Sequence, residues 1–293
     1  METNRKLTGK IVVRPGVSND LDACGSIFYE AFSSVNEQHN FPSEVPSPED
    51  GKHLLEALFA SGVHFLVAEM DGRVVGSNFI DERSQIAGVG PISVSPDVQS
   101  RGMGRVLMQA AIDRPRDHRL EGIRLMQASF NTRSLSLYAK LGFVVREPVA
   151  VMAGLPTTHR AVAGCTVRLA ETADLLSANA LCRKVYGSDR SLDLQAAIER
   201  GDGLMVEREG RLTGYASGFG YLSHAVGEST LDIEALLCAA ERVDGTGIVI
   251  PTRNGELFRW CLENEMRVVI PYTSMTMGSY APPQGAYIPS IMF

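Results

Sequence analysis

The apolar positions of this chain change period several times, and each change predicts a switch between strand and helix. In the first half, Leu21, Ile27, Phe28 and Phe32 recur at the spacing of one helix face, after a short apolar strand. Two alternating runs then meet at Asp71-Gly72, a dipeptide that favours a tight hairpin. The first half is therefore predicted to contain a strand, two helices, three strands, a helix, a strand, a helix and a strand.

The second half repeats this pattern, which predicts an internal duplication. Beyond a small, polar linker, the segment "TVRLAETAD" aligns with "VVRPGVSND" and places Arg168 over Arg14. The other matched positions are Asp174 over Asp20, Gly210 over Gly72, Gly214 over Gly76 and Asn254 over Asn131. We therefore expect two domains, at residues 10–151 and 165–293. Two unrelated α/β domains are the alternative.

Composition and charge narrow the class of protein. Of the 293 residues, 44% are hydrophobic and 21% are charged, and the formal net charge is -6. An acidic chain is a poor non-specific nucleic-acid binder, and no apolar run approaches the roughly 18 residues that span a bilayer. The cysteines are scattered and the histidines form no metal-binding motif, while the polar start "METNRKLTGK" lacks the core of a signal peptide. We expect a cytoplasmic monomer or homodimer without metal, nucleic-acid or membrane partners.

A glycine-rich turn, "QSRGMGR", separates the apolar run "GPISV" from the helical run "VLMQAAI". A helix that begins after such a turn exposes backbone N–H groups, and it is a ready site for a phosphate. The alternative for a single G-x-G is an ordinary capped helix. The dinucleotide fingerprint is excluded because Leu107 stands where it needs a third small residue, and no Gly-Lys-Ser/Thr of a nucleotide-binding loop is present.

Three stretches together resemble the GNAT superfamily, the GCN5-related N-acetyltransferases. Gln99, Gly102 and Gly104 match its Gln/Arg-x-x-Gly-x-Gly/Ala pyrophosphate loop. The segment "VSPDVQ" matches the exit from its central strand, and "NTRSLSLYAKLGF" matches its late segment. The resemblance is strong over the first half and only architectural over the second. It implies an α/β (α+β) fold with two GNAT-like domains in tandem, each a mixed, mostly antiparallel sheet flanked by helices.

The resemblance also implies acetyl-CoA as co-substrate, with its pyrophosphate on the glycine turn and its pantetheine arm along the central strand. A β-carbon at either turn glycine would hinder the close approach of the phosphate oxygens. The implied contacts are Ile92, Ser93, Val94, Gln99, Ser100, Arg101, Gly102, Met103, Gly104, Arg105, Asn131, Ser134 and Tyr138. For the arginines, a solvated side chain on an exposed turn is the alternative, and for Asn131 a plain helix cap.

Acetyl transfer to an amine needs a proton donor for the departing thiolate and a way to neutralise an amine of pKa ~10. The resemblance places Tyr138 as the general acid; packing on its helix is the alternative. The central strand offers no carboxylate, so Asp81 and Glu82, at the end of the preceding strand, are the candidate bases. The alternative for both residues is that they are solvated acids in a turn, without a role in catalysis.

The second half lacks the glycine turn, and Cys261 stands at the position of Tyr138. It is therefore predicted to be a degenerate copy. The function expected for the whole chain is acetyl transfer from acetyl-CoA to a primary amine of a small molecule. The alternatives are a non-catalytic acyl-CoA sensor or regulatory protein and a protein N-acetyltransferase.

Overall fold

The computed structural model describes residues 9–99, 101–114, 120–158 and 161–292. They divide into two compact units. The first unit comprises the chain up to Arg83 and Ala87–Arg119, and the second comprises Ser84–Ile86 and Leu120–Phe293.

The first unit consists of an antiparallel sheet, in the order β1-β2-β3-β4, with three helices. Its elements are β1 (Ile11–Pro15), α1 (Leu21–Gln38), α2 (Pro48–Ala60), β2 (His64–Met70), β3 (Arg73–Asp81), β4 (Ile86–Val94) and α3 (Met103–Asp113). The apolar stripe of α1 is buried, because Leu21, Ile27 and Phe28 face the core. Asp71 and Gly72 both have positive φ, at 53° and 74°, which is the backbone of the predicted β2–β3 hairpin.

The second unit holds two groups of antiparallel strands, in the orders β5-β12-β6-β11 and β13-β10-β9-β8-β7. Its elements are β5 (Gly122–Ala128), α4 (Thr132–Lys140), β6 (Val144–Ala153), β7 (Thr166–Leu169), α5 (Leu175–Tyr186), α6 (Ser191–Arg200), β8 (Leu204–Arg208), β9 (Arg211–Ala216), β10 (Ala225–Gly227), α7 (Thr230–Cys238), β11 (Ile248–Pro251), α8 (Gly255–Glu263), β12 (Arg267–Gly278) and β13 (Ala286–Ile288). The apolar C-terminal segment pairs as β13 along β10.

Strands from the two halves of the sequence interleave in the first of these groups. β12 lies between β5 and β6, so that Tyr272 is opposite both Ala128 and Val149. β6 in turn lies between β12 and β11, with Ile248 opposite Met152. Each half therefore supplies a strand that the other half surrounds, which the sequence repeat does not predict.

The two halves share details of local geometry that support a duplication. The guanidinium of Arg14 donates to both oxygens of Asp20 at 2.8 Å and to Glu69 at 2.6 Å. The second half has the same arrangement of an arginine, an aspartate and a strand glutamate at Arg168, Asp174 and Glu207. In both halves, the aspartate also accepts a backbone N–H three residues earlier, at 2.9 Å, where the first helix begins.

The acidic, proline-rich segment from Glu37 to Asp50 is a loop only in part, because α1 continues to Gln38 and α2 begins at Pro48, where Ser47 caps the helix by accepting from the Asp50 N–H. The boundaries at 10–151 and 165–293 stay a prediction about the sequence repeat. The compact units divide elsewhere because the interleaved strands tie β5 and β6 to the second half. No helix in the described ranges is long and apolar enough to cross a membrane.

Candidate functional site

The central strand of the first unit carries a β-bulge next to the expected pantetheine contacts. Asn78 is opposite Ile92 and Ile80 is opposite Val89, so two residues of β4 face one residue of β3. A bulge bends its strand and disrupts the ladder locally, which leaves backbone groups available for other partners. Beyond the bulge, Ile92 and Val94 are half-buried and Ser93 is buried, with its hydroxyl 3.2 Å from that of Ser77.

The segment after β4 is fixed by side-chain hydrogen bonds. The amide of Gln99 donates to the Val94 carbonyl at 3.0 Å, which folds the chain back on the end of its strand. Asp97 accepts from the Ser95 hydroxyl and from Arg73, which is 2.6 Å away. In this geometry, Gln99 positions the turn with its side chain. Ser100, a predicted contact, lies outside the described residues.

Helix α3 begins on a left-handed glycine. Gly102 is its N-cap, with φ of 83°, and a β-carbon built there would meet nothing within 4 Å. The first intrahelical bond, from the Val106 N–H to the Gly102 carbonyl, spans 3.1 Å. By helix geometry the N–H groups of Met103, Gly104 and Arg105 have no partner inside the helix.

This helix start has the properties that a diphosphate needs. Its unpaired N–H groups lie at the positive end of the helix dipole, and the space beside Gly102 is open. Arg101 and Arg105 are exposed on the same turn and add positive charge. The residues present therefore fit the pyrophosphate of an acyl-CoA.

In the second unit, α4 is held at its start by a compact amide network. Asn131 is the N-cap, and its side chain accepts from the Ser134 N–H at 3.2 Å. The Ser134 hydroxyl donates back to the Asn131 carbonyl at 2.9 Å. The buried amide of Gln127, on β5, donates to both of them, at 2.8 Å to the Asn131 carbonyl and 3.0 Å to the Ser134 hydroxyl. The capping alternative for Asn131 is thus realised, and Gln127 is a participant that the sequence patterns did not single out.

Tyr138 lies in the last turn of α4, two residues before the helix ends. Its ring is buried and meets Phe143 edge-on, with 6.1 Å between centroids. Burial raises the pKa of Tyr138, so the phenol stays protonated through the neutral range. Among the described residues its hydroxyl makes no hydrogen bond. A protonated hydroxyl without a fixed acceptor is suited to donate a proton to a ligand.

The two candidate bases are engaged by arginines. Arg83 binds both oxygens of Asp81, with Nε at 2.8 Å and Nη2 at 2.7 Å, and Glu82 is ion-paired with Arg114. Both carboxylates are buried, at 6% and 7% exposure. Solvation, the alternative expected for turn acids, is therefore wrong for both, and their oxygens already have a structural function. A role as base remains a prediction.

The helix start that corresponds to α3 in the second half is closed by its own carboxylate. Asp232 is fully buried in the first turn of α7, and it accepts from the N–H and the hydroxyl of Ser229 at 2.9 Å and 2.8 Å. Arg208 and Thr213 hold its other oxygen, at 2.8 Å and 2.6 Å. The second half thus lacks the glycine turn, and the fixed negative charge of Asp232 at this helix start disfavours a phosphate.

The late segments of the two halves nevertheless have matching backbones. Asn254 caps α8 as Asn131 caps α4, with the same 3.2 Å bond to the N–H three residues on. Glu265 has a φ of 64° where Gly142 has 98°, so both helices end in the left-handed region. Cys261, which replaces Tyr138, is buried, and burial raises the pKa of its thiol to about 12. It therefore remains a neutral thiol.

The predicted site residues thus fall into two sets. The first unit carries the bulged strand, the glycine turn, Asp81 and Glu82, and the second unit carries Asn131, Ser134 and Tyr138. No group of three or more histidines, cysteines or acids that could hold a metal ion occurs in the part of the chain that the structure describes.

The sequence and the fold of this chain are similar to those of known acetyltransferases. Residues 28–143 match the family model of the acetyltransferase (GNAT) family. A proposed acetyltransferase from Pyrococcus horikoshii superimposes with a TM-score of 0.71 at 21% identity, covering 100% of this chain and 95% of its own. A GCN5-related N-acetyltransferase from Sphaerobacter thermophilus covers 94% of this chain and 98% of its own, with a TM-score of 0.61 at 14% identity. The family match is therefore to one part of the chain, residues 28–143, and the similarity to these two solved structures concerns the fold.

Among curated proteins, the chain is similar to mycothiol acetyltransferases. The protein from Acidimicrobium ferrooxidans is 32% identical over 122 residues, which are 37% of this chain and 39% of that protein. The protein from Tsukamurella paurometabola is 32% identical over 82 residues, 27% of this chain and 28% of that protein. The similarity thus spans only 28% to 39% of the length of these relatives.

Proposed function

We propose that this protein is an acetyl-CoA-dependent N-acetyltransferase that acts on a primary amine of a small molecule by direct transfer from the thioester. The observation that carries the proposal is the open, left-handed Gly102 turn that begins α3 directly after a bulged strand. The GNAT family match over residues 28–143 supports the same activity.

In this proposal, different groups of the chain bind the pyrophosphate and the pantetheine arm of acetyl-CoA. The N–H groups of α3 and the charge of Arg101 and Arg105 hold the pyrophosphate of acetyl-CoA. The backbone of β4 from Ile92 to Val94 pairs with the pantetheine arm as an added strand would. Asn131 and Ser134, fixed by the amide network, keep α4 in one orientation.

In the proposed reaction, Tyr138 is the proton donor. A neutral amine attacks the thioester carbonyl, a C–N bond forms, and the C–S bond breaks as the thiolate leaves. Tyr138 donates its proton to that thiolate, and the amine proton passes to Asp81 or Glu82 directly or through water. The raised pKa of Tyr138 suits a donor that must be protonated at neutral pH.

Two other functions remain candidates. A non-catalytic acyl-CoA sensor is favoured by the arginine pairing of Asp81 and Glu82, because it leaves no unpaired carboxylate among the predicted bases. A protein N-acetyltransferase differs only in its acceptor.

The test is a turnover screen of the intact protein with acetyl-CoA and a panel of small amines, amino-sugars, polyamines and peptides, read by thiol release. Thiol release that depends on a small amine, with the acetylated amine found by mass spectrometry, is the expected result. Release with peptides alone would establish the protein acceptor. Binding of acetyl-CoA without release for any amine would establish the sensor.

A further inference from the structure

A cluster of arginines and tyrosines in the second unit lies outside the groups used above. We call it the arginine–tyrosine cluster: Arg124, Arg146, Arg253, Tyr186, Tyr280 and Tyr287, with Glu147. Its centre is Arg124 on β5, which is only 5% exposed. The guanidinium carbon of Arg124 lies 4.6 Å from the centroid of the Tyr186 ring, and its Nε has no hydrogen-bond partner. A buried guanidinium without an anionic partner is costly, so it indicates a missing ligand.

A second arginine faces the same side of the sheet. Thr276 on β12 is directly opposite Arg124, and its hydroxyl accepts from Arg146 Nε at 2.7 Å. The Arg146 guanidinium carbon stacks 4.3 Å from the centroid of Tyr280. In the described part of the chain, neither Arg124 nor Arg146 is ion-paired with a carboxylate.

The one acid of the cluster is already neutralised. Glu147 is buried, accepts from the Tyr287 hydroxyl, and lies 3.2 Å from Arg253 Nε. Three arginines and one glutamate leave two positive charges in the cluster. The Tyr186 and Tyr287 rings are 4.8 Å apart and wall the buried end. Arg146 and Tyr280 are half-buried at the other end, where solvent has access.

The pKa of Tyr280 reflects the same crowding of charge. Burial raises it most, Glu147 raises it further, and Arg253, Arg146 and Arg124 all lower it. The half-buried phenol of Tyr280 is thus close enough to all four charged groups for each of them to shift its pKa. The aromatic faces also keep the guanidinium planes fixed, which prepares their N–H edges for two oxygens of a carboxylate or a phosphate.

We propose that the arginine–tyrosine cluster is a binding site for the oxyanion group of a small molecule, a carboxylate or a phosphate, held by Arg124 and Arg146. Two guanidiniums without carboxylate partners provide the N–H donors, and the adjacent tyrosine rings exclude water from one side. The site is separate in sequence and chemistry from the glycine turn at Gly102.

The test is calorimetric titration of the intact chain with inorganic phosphate and, separately, with citrate, at constant ionic strength. Saturable binding of at least one probe is expected, and the arm that saturates identifies the oxyanion. Arg146→Gln, a half-buried change that leaves the core intact, should weaken that binding at least tenfold, and Arg124→Gln should do the same if it folds. Arg211→Gln removes an equal charge from an exposed pair with Glu228 and should leave it unchanged.

The same titration in the Gly102→Glu chain separates this site from the glycine turn. Anion binding that persists there but is lost in Arg146→Gln supports the cluster, whatever the fate of acetyl-CoA binding. Absence of saturable binding of both probes to the wild type would overturn the proposal. Equal binding by wild type and Arg146→Gln would overturn it as well.

Discussion

Tyr138 combines burial, a raised pKa and a hydroxyl without a partner among the described residues. A tyrosine that only packs needs its ring, whereas a general acid also needs its hydroxyl. Tyr138→Phe removes the hydroxyl and keeps the contact with Phe143. We expect acetyl-CoA binding to change little and kcat to fall by roughly 10²-fold or more, the usual contribution of a general acid. Steady-state kinetics at saturating acceptor measure this. A loss below about threefold would leave Tyr138 as scaffold only.

His224 illustrates a different effect of burial on a single residue. Its ring bonds the Tyr215 hydroxyl at 2.8 Å and the Ser217 hydroxyl at 3.1 Å, and burial lowers its pKa to about 3 from an ordinary 6.5. Below pH 6.5 the unfolded chain therefore binds a proton that the folded chain does not, until the pH reaches about 3. The contribution of the neutral His224 ring to stability is fully present above pH 6.5 and is lost as the pH is lowered through this window, by at most about 1.4 kcal/mol per pH unit.

Urea unfolding at pH 6.5 and at pH 5.5, about one unit above the ordinary glutamate pKa of 4.5, tests this dependence. We expect the wild type to lose stability between the two pH values, and His224→Gln, which keeps a neutral polar side chain, to lose much less. Equal losses for the two proteins would show that His224 is not the group that titrates.

At this scale the sequence predicts some residues well and misses others. The cap at Asn131 follows from a local pattern, because its partner Ser134 is three residues away. The isolation of Arg124 is a tertiary property, since the ring that covers it belongs to Tyr186, far along the chain. Likewise, no local pattern shows that Arg83 binds Asp81 through both oxygens.

Among the secondary-structure elements, the starts of α3 and α7 differ most clearly between the two halves of the sequence. α3 begins at an open glycine, whereas α7 has a buried aspartate, Asp232, in its first turn, bound by Ser229, Thr213 and Arg208. Asp232→Asn keeps the shape but removes the charge that Arg208 and the helix N-terminus need. We expect a loss of about 2 kcal/mol of unfolding free energy, below the 3–5 kcal/mol of a fully buried pair because Arg208 is 31% exposed.

Urea unfolding measures that loss, and Asp244→Asn, at an exposed pair with Arg242, serves for comparison. Unchanged stability of Asp232→Asn would contradict the role of Asp232 as a built-in anion. Restored acyl-CoA binding is not expected, because the glycine turn is still missing.

Element order along the chain follows from apolar periodicity and turn residues, both of which are local. The strands and helices of the first half occur in the predicted order, and the Asp71-Gly72 hairpin is confirmed. The ends of α1 and α2 are less predictable, because acids such as Glu49 and Asp50 suit both a loop and a first helical turn. Strand order across β5, β12, β6 and β11 depends on pairings between distant segments, so periodicity contains no information on it.

In the whole molecule, the two halves of the sequence depend on each other for folding, because their strands interleave. β6 has β12 on one side and β11 on the other, and both come from the second half. A chain cut to residues 1–158 leaves β6 without either neighbour and exposes its buried residues. We expect this fragment to lack a cooperative thermal transition, whereas co-expression with residues 161–293 should restore one. A sharp transition of the fragment alone, together with acetyl-CoA binding, would contradict this interdependence.

Assignment of a single acyl-CoA site to the first half is tested most directly by calorimetric titration of acetyl-CoA into the intact chain. We expect one molecule bound per chain. Gly102→Glu should weaken that binding at least tenfold, because its carboxylate lies where the phosphates would bind. The matched control is Gly201→Glu, at another left-handed glycine (φ 75°) with open space around it, at the end of α6. Its binding should equal that of the wild type. Two molecules bound per chain, or undiminished binding by a folded Gly102→Glu, would contradict the assignment.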